Sequence, residues 1–240
     1  MAGIASLSAA KGQTTRYIYE TRVNPDTINL VDMKVEKTFL DTDGKHSVFI
    51  SENYLKNDSV RRGSKNEQNL DKEQQKKNRK DKKTDQVAAT GADIFFPFYI
   101  TKEGGNKVRY HENLFGKDIF YTEDRKITWK ILPETQELYG YKTQKAIANF
   151  GGRIWTAWFT EEIPVQDGPY KFYGLPGLIV KLQDEKGDYI FELIGKKKIS
   201  SPYTVAADEA IETKRNELNS QKVSQAIIAS RDPKKAAEVR

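Results

Sequence analysis

The stretch from residue 92 to residue 195 consists of short aromatic and β-branched segments separated by turn residues. "ADIFFPFYITKE" and "NKVRYHE" are separated by Gly104 and Gly105, and "KDIFYTED" and "RKITWKIL" by Asp124 and Arg125. This spacing predicts consecutive strands joined by hairpins. The pattern lacks the βαβ alternation that builds a parallel sheet. We therefore predict a mainly β (α+β) fold, with a curved antiparallel sheet or an open half-barrel.

Three further segments extend this prediction. Thr15 to Val23 reads as a strand, and "KVEKTFLDTDGKHSVFIS" reads as a hairpin that turns at Asp43 and Gly44. The segment 204–229 is rich in Ala, Glu, Lys and Gln, and its apolar residues are sparse. We expect a C-terminal helix there, at the edge of the fold.

The positive charge is concentrated in one insert. Between Arg61 and Asp85 there are ten Lys or Arg residues and five Asp or Glu residues, a local charge of +5 out of a total of +6. Acidic residues are interleaved with the basic ones, and residues 55–94 contain no aromatic side chain that could stack on bases. We therefore expect residues 60–88 to be a charged helical or disordered insert, and nucleic acid to be an improbable partner.

Residue types exclude several kinds of chemistry. The sequence contains no cysteine and only two histidines, His46 and His111. Disulfides, thiolate metal sites and cysteine nucleophiles are therefore excluded, and so is a site of three histidines. Because no nucleophile-elbow, zincin or serine–lysine motif occurs either, we expect no cofactor, no metal and no catalytic residue to be assignable.

The N-terminal residues suggest processing of a secretory leader. Residues 1–13, "MAGIASLSAAKGQ", are small and apolar, like the back half of a secretory leader whose basic front is missing. We expect them to be a leader remnant and residues 14–240 to form a single domain. A flexible N-terminal tail of a cytoplasmic protein is the alternative. The sequence has no run of about 20 apolar residues, so we expect no membrane-spanning helix.

The hexapeptide "GLPGLI" interrupts an apolar run with two glycines and a proline. It comprises Gly174, Leu175, Pro176, Gly177, Leu178 and Ile179. Leu175 precedes a proline and should be extended, while Pro176 and Gly177 fit the two corners of a type II turn. A strand should follow. A phosphate-binding loop is disfavoured, because no Lys-Ser or Lys-Thr pair and no helix follow the glycines.

The segment from Tyr141 to Gly195 resembles the GLPGLI family. Besides the hexapeptide, the residues that fit this pattern are Gly152, Arg153, Trp155, Ala157, Trp158, Phe159, Thr160, Ile163, Pro164, Gly168 and Pro169. The resemblance implies an exported envelope protein of the Bacteroidota, made with a signal peptide and without established catalytic residues. Many family members have a cysteine near Thr143, where this chain has none. We therefore expect a periplasmic or otherwise extracytoplasmic location.

Three functions remain open from the sequence. The first is a binding or carrier module with an apolar groove, with Trp155, Trp158, Phe172 and Tyr173 as candidate lining residues. The second is a structural or interaction protein of the envelope.

The third function is a hydrolase that uses carboxylates near Glu161. Glu161 and Glu162 are adjacent, and adjacent side chains on a strand point to opposite faces, so we expect them not to share a site unless a β-bulge intervenes. We prefer binding of an apolar ligand to catalysis. A partner protein in the envelope is the other expected kind of contact.

Overall fold

Twelve strands and two short helices make up the part of the chain that the computed structural model describes, which is residues 14–24, 33–59, 95–104, 107–114, 117–200, 203 and 210–222. The strands are β1 (Thr14–Val23), β2 (Lys34–Thr42), β3 (His46–Ser51), β4 (Phe98–Glu103), β5 (Lys107–Leu114), β6 (Lys117–Thr122), β7 (Lys130–Leu138), β8 (Tyr141–Phe150), β9 (Arg153–Thr160), β10 (Leu178–Asp184), β11 (Tyr189–Ile199) and β12 (Ile211–Glu212). The helices are α1, residues 52–59, and α2, residues 215–222.

All twelve strands belong to one sheet, in the order β12-β6-β5-β4-β3-β2-β1-β11-β10-β9-β8-β7. Each neighbouring pair is antiparallel except the short contact between β12 and β6, which is parallel. Strands β12 and β7 form the two edges and do not pair with each other, so the sheet is open and is not a closed barrel. The predicted mainly β fold with an antiparallel sheet is confirmed.

The two faces of the sheet carry separate apolar clusters, because successive side chains of a strand point to opposite faces. The larger core lies on the face that bears Tyr19, Phe49 and Ile100. A smaller cluster on the other face contains Ile50 and Tyr99, and Tyr54 of α1 packs on it. Helix α1 begins directly after Ser51, whose hydroxyl oxygen accepts a hydrogen bond from the Tyr54 amide at 3.0 Å. This is the usual N-cap geometry.

The sheet bends around residues 161–177, which we call the crossing segment. Lys102 on β4 donates a hydrogen bond to the Asp167 carboxylate, and Asp167 O accepts one from the Ile179 amide on β10 at 3.0 Å. Strands β4 and β10 are five positions apart, a distance of about 24 Å in a flat sheet. A single residue can bond to both only if the sheet curves around the crossing segment.

The predicted hairpin at Asp43 and Gly44 is confirmed by the antiparallel pairing of β2 with β3. Gly44 has φ +92°, a conformation that glycine adopts at little cost. The Asp43 Oδ1 atom accepts hydrogen bonds from the amides of Lys45 at 2.8 Å and His46 at 2.7 Å. The side chain of Asp43 therefore closes the turn that its sequence predicted.

The strand predicted over "RKITWKIL" is displaced toward the C-terminus. Strand β7 begins only at Lys130, and residues 123–129 lie outside any strand. Ile127 and Trp129 are nevertheless half-buried while Lys126 and Thr128 are exposed, as the alternation predicted. The alternation was correctly identified, but it does not fix whether the backbone pairs with a neighbour.

The predicted C-terminal helix is shorter in the described residues than the range 204–229. Residues 211–212 form β12, and α2 begins at residue 215. Leu218 of α2 is completely buried and packs into the main core. The predicted leader remnant at residues 1–13 and the charged insert at residues 60–88 lie outside the described residues. Neither α1 nor α2 is long and apolar enough to cross a membrane.

Candidate functional site

Two buried lysines attach the crossing segment to strands β4 and β6. The first is Lys102, whose Nζ donates hydrogen bonds to Asp167 Oδ1 at 2.5 Å, Gly168 O at 2.6 Å and Phe172 O at 3.1 Å. Burial lowers the pKa of Lys102, although the neighbouring Asp167 opposes that shift. All three protons of the ammonium group are used, so this lysine organises the backbone of the crossing segment.

The second is Lys171, whose Nζ donates hydrogen bonds to the Tyr121 hydroxyl at 2.6 Å and to Glu123 Oε2 at 2.7 Å. The same nitrogen lies 4.8 to 5.3 Å from the ring centroids of Tyr110, Tyr121 and Tyr170, within the range of cation–π attraction. Burial lowers the pKa of Lys171 to about 8, against the effect of Glu123. Burial alone would raise the pKa of Glu123, but hydrogen bonds from Arg125 and Lys171 outweigh it and lower the pKa to about 2.

The hexapeptide forms the end of the crossing segment and the start of β10. Gly174 has φ +87°, whereas Gly177 does not adopt a positive φ, so the predicted type II turn with Gly177 at its second corner is wrong. The Gly177 amide instead donates to Leu175 O at 2.7 Å across Pro176. A Cβ atom on Gly177 would lie 2.0 Å from the Thr160 carbonyl oxygen. Glycine is required there because two backbone segments touch.

An aromatic cleft of about 320 Å³ opens between the turn that joins β8 to β9, the start of β11 and the residues before β4. Among its lining side chains are Phe96, Phe98, Phe150, Trp155, Tyr170 and Phe191. Several of these rings pack against one another or against Phe172 beneath them, with centroids 4.6 to 6.4 Å apart. The walls are therefore held in place by the core. A cleft of this size and composition is typical of a site for a small apolar molecule.

Two arginines line the same cleft, and acidic side chains hold both of them. Arg125 Nε and Nη2 donate to Glu123, each at 2.7 Å, and the guanidinium lies 4.7 Å from the Phe150 ring centroid. Arg153 Nη1 donates to Asp184 and, at 2.6 Å, to Asp188. Because carboxylates neutralise both arginines, the cleft carries no strong excess of positive charge.

Tyr170 of the crossing segment is held in an unusual backbone conformation. Its φ of +53° lies in the left-handed region that residues with a side chain adopt at a cost of about 1 to 3 kcal/mol. Its ring lies 5.8 Å from that of Phe98 across the cleft. Burial raises the pKa of Tyr170 well above the usual range of a tyrosine. The strained backbone places an aromatic ring in the wall of the cleft.

The structure does not bring the four candidate groove residues together. Trp155 lines the aromatic cleft, whereas Phe172 is completely buried beneath it. Tyr173 lines a different cavity, of about 360 Å³. Trp158 is half-buried and lines neither that cavity nor the aromatic cleft. Sequence reasoning missed the phenylalanines before β4. The run "FFPF" at residues 95–98 could have indicated them, because a proline inside an aromatic run interrupts a strand.

The glutamates considered for hydrolysis lie at the opening of a separate cavity. Strand β9 ends at Thr160, and Glu161 and Glu162 are exposed residues of the following turn. Both line an open cavity of about 330 Å³, so the expectation that they lie on opposite faces of a strand is wrong. Glu162 Oε1 accepts a hydrogen bond from the Lys142 amide at 2.8 Å. Histidine is absent from the lining of this cavity, and the described residues contain no cluster that could hold a metal ion.

Residues 151–181 match the model of a family described as a protein of unknown function (Porph_ging). No curated protein matches the chain. Two solved structures of PNGF-II resemble the fold, with TM-scores of 0.57 and 0.56 at 16% and 17% identity. Each alignment covers 87% of this chain and 32% of PNGF-II, so the chain spans about a third of that protein's length.

The matched residues contain much of the candidate site. They include β9, the crossing segment and the first part of β10. Arg153, Trp155 and Tyr170 of the aromatic cleft lie within them, and so does Lys171. The family model therefore matches the part of the chain that shapes one side of the cleft.

Proposed function

We propose that this chain is a non-enzymatic binding or carrier module whose ligand occupies the aromatic cleft. The observation that carries the proposal is a cleft of about 320 Å³ walled by aromatic side chains that the core holds in fixed positions. Burial of an apolar ligand against such walls stabilises a complex by roughly 25 cal/mol per Å² of apolar surface removed from water. The neutralised arginines at the cleft favour a ligand without a large net charge.

Binding of a neutral apolar fluorophore, N-phenyl-1-naphthylamine, tests this proposal. We expect saturable binding in the low micromolar range, displaced by unlabelled apolar compounds. Phe98→Ala should weaken binding about fivefold, because Phe98 lines the cleft and is only half-buried. Trp158→Ala is the matched control, since it removes a half-buried aromatic side chain outside the cleft. No binding at tens of micromolar, or equal loss in both variants, would contradict the proposal.

We also propose that the chain is an exported protein of the GLPGLI type that works in the periplasm or cell envelope. Support comes from the hexapeptide pattern and from the family match over residues 151–181. Fractionation of the source cells, followed by detection with an antibody to the sheet, tests the location. Recovery together with a cytoplasmic marker rather than a periplasmic one would contradict it.

A further inference from the structure

A second cavity, of about 360 Å³, is lined by different residues from the aromatic cleft, and we call it the polar notch. Its walls are the turn that joins β2 to β3, the end of β4, residues 164–167 and Tyr173. Unlike the aromatic cleft, it is lined mainly by polar side chains. Ser47, Lys102 and Asp167 are buried polar residues of this lining.

Ser47 has a buried hydroxyl group without a partner. It pairs with Thr42 on β2 and with Lys102 on β4, and the residue is only 4% exposed. Within the described residues, its Oγ makes no hydrogen bond. The neighbouring Thr42 hydroxyl is already used, since it donates to His46 O and accepts from the Gly44 amide, both at 3.0 Å. A buried hydroxyl without a partner among the described residues is unfavourable unless another group bonds to it.

Asp167 offers an acceptor to the same notch. Its Oδ1 accepts from Lys102 Nζ and, at 2.7 Å, from the Gly168 amide. Its Oδ2 accepts no hydrogen bond from any residue that the structure describes. Because the three protons of Lys102 are all bonded within the crossing segment, that lysine has no proton left for a ligand. The notch therefore presents a carboxylate oxygen and a hydroxyl group.

The buried charges of the notch cancel each other. Lys102 and Asp167 form an ion pair, so beside them an anion would face the carboxylate oxygen and a cation would face the lysine. Lys45, which also lines the notch, adds a positive charge, and competition by an anion tests its effect. A neutral molecule with several hydroxyl groups could bond to both side chains, with one hydroxyl donating to Asp167 Oδ2 and another bonding to Ser47 Oγ. Tyr173 adds an aromatic wall for its apolar face. We propose that the polar notch binds a small neutral polyhydroxyl compound, such as a monosaccharide or a cyclic polyol.

This proposal is independent of the aromatic cleft, and ligand-observed saturation-transfer NMR tests it. The probes are D-glucose, D-mannose and myo-inositol at millimolar concentration, with inorganic phosphate as the competitor. We expect at least one of the three to receive saturation from the protein. Ser47→Ala should weaken its binding about tenfold while leaving the melting temperature unchanged or raised, because the variant removes an unpaired buried hydroxyl.

Ser51→Ala is the matched control. Ser51 lies on the same strand and is completely buried, but its hydroxyl caps helix α1. This variant should lower the melting temperature and leave binding unchanged, the reverse of the Ser47→Ala result. The proposal is overturned if none of the three compounds binds, or if Ser47→Ala binds as well as the wild type. Displacement by phosphate would also overturn it, since that result would indicate an anion site at Lys45 and His46 instead.

Discussion

The Nζ atom of Lys171 lies 2.7 Å from Oε2 of Glu123, and both side chains are only 2% exposed. Glu123 directly follows β6, whereas Lys171 lies in the crossing segment that joins β9 to β10. The pair thus joins two parts of the sheet that are far apart in strand order. Removing Glu123 would leave the buried ammonium group of Lys171 without its counter-charge, so we expect this pair to stabilise the fold.

Glu123 should make the stability of the protein depend on pH under acidic conditions. Its pKa of about 2 in the folded chain lies below the value of 4.5 for an ordinary glutamate. Below pH 4.5 the unfolded chain therefore binds a proton that the folded chain does not bind, and stability falls as the pH decreases toward 2. The loss should be on the order of 3 kcal/mol over this window. Urea unfolding at several pH values measures it.

Glu123→Gln should flatten this part of the pH profile, because glutamine has no proton to gain. Glu185→Gln is the control, since Glu185 is exposed and its replacement should leave the slope unchanged. Equal slopes for wild type and Glu123→Gln between pH 4.5 and 2 would show that Glu123, held by Arg125 and Lys171, contributes nothing to acid sensitivity.

His111 should also make the stability of the folded chain depend on pH, at higher pH values than Glu123 does. Its ring is stacked between Tyr99 and Phe120, with centroids 4.5 and 5.4 Å away, and burial followed by the positive charge of Arg109 lowers its pKa to about 4. The unfolded chain takes up this proton near pH 6.5, so stability falls as the pH drops from 6.5 to 4. The expected loss is on the order of 3 kcal/mol.

Thermal unfolding of His111→Phe between pH 7 and pH 4 checks this expectation. Phenylalanine keeps the aromatic stack but cannot be protonated, so the melting temperature of the variant should vary less with pH than that of the wild type. His46→Gln is the control, because the His46 side chain is 66% exposed. If His111→Phe retains the full pH dependence of the wild type, the titration of His111 is not its cause.

The strands could be predicted from the sequence because strand alternation and turn residues are local signals. Asp43 and Gly44 specify their hairpin through their own backbone preferences. The start of β7 could not be predicted in this way. Ile127 and Trp129 alternate with polar residues as a strand would, yet Trp129 Nε1 donates to Tyr173 O and this part of the chain pairs with no strand. Trp129 thus makes a tertiary contact in place of strand pairing, and a local pattern cannot predict such a contact.

The candidate site was much less predictable. A lysine in a sequence usually indicates a solvated side chain, and nothing local shows that Lys102 and Lys171 are buried against the crossing segment. Both lysines are paired with residues far away in the chain, Lys102 with Asp167 more than 60 residues away and Lys171 with Glu123 more than 40 residues away. Predicting them requires the strand order, which single-sequence patterns do not supply.

The two glycines of the hexapeptide should respond differently to the same substitution. Gly177→Ala would place a Cβ atom 2.0 Å from the Thr160 carbonyl oxygen, so backbone must move and we expect a loss of about 3 kcal/mol or more. Gly174→Ala meets no atom within 4 Å and should cost about 1 to 2 kcal/mol, the price of a left-handed alanine. Urea unfolding of both variants measures the difference. A smaller loss for Gly177→Ala than for Gly174→Ala would contradict the close contact.

Arg153 is expected to stabilise the folded chain through two buried carboxylates next to the aromatic cleft. It bonds to Asp184 and Asp188, whose side chains are 0% and 3% exposed. Arg153→Met keeps much of the apolar stem but leaves two buried carboxylates next to each other without their cation. We expect a loss of about 3 kcal/mol at neutral pH, measured by urea unfolding.

A double-mutant cycle separates charge from packing in this cluster. If the loss in Arg153→Met comes from the unpaired carboxylates, adding Asp184→Asn should recover part of it, because one buried charge is then removed. If the loss comes from packing against Tyr189, whose ring centroid lies 5.0 Å from the guanidinium, the two substitutions should instead destabilise additively. We expect recovery, since both carboxylates are buried more completely than the arginine, which is 28% exposed. Strictly additive losses would show that Arg153 stabilises the cleft through its contact with the ring.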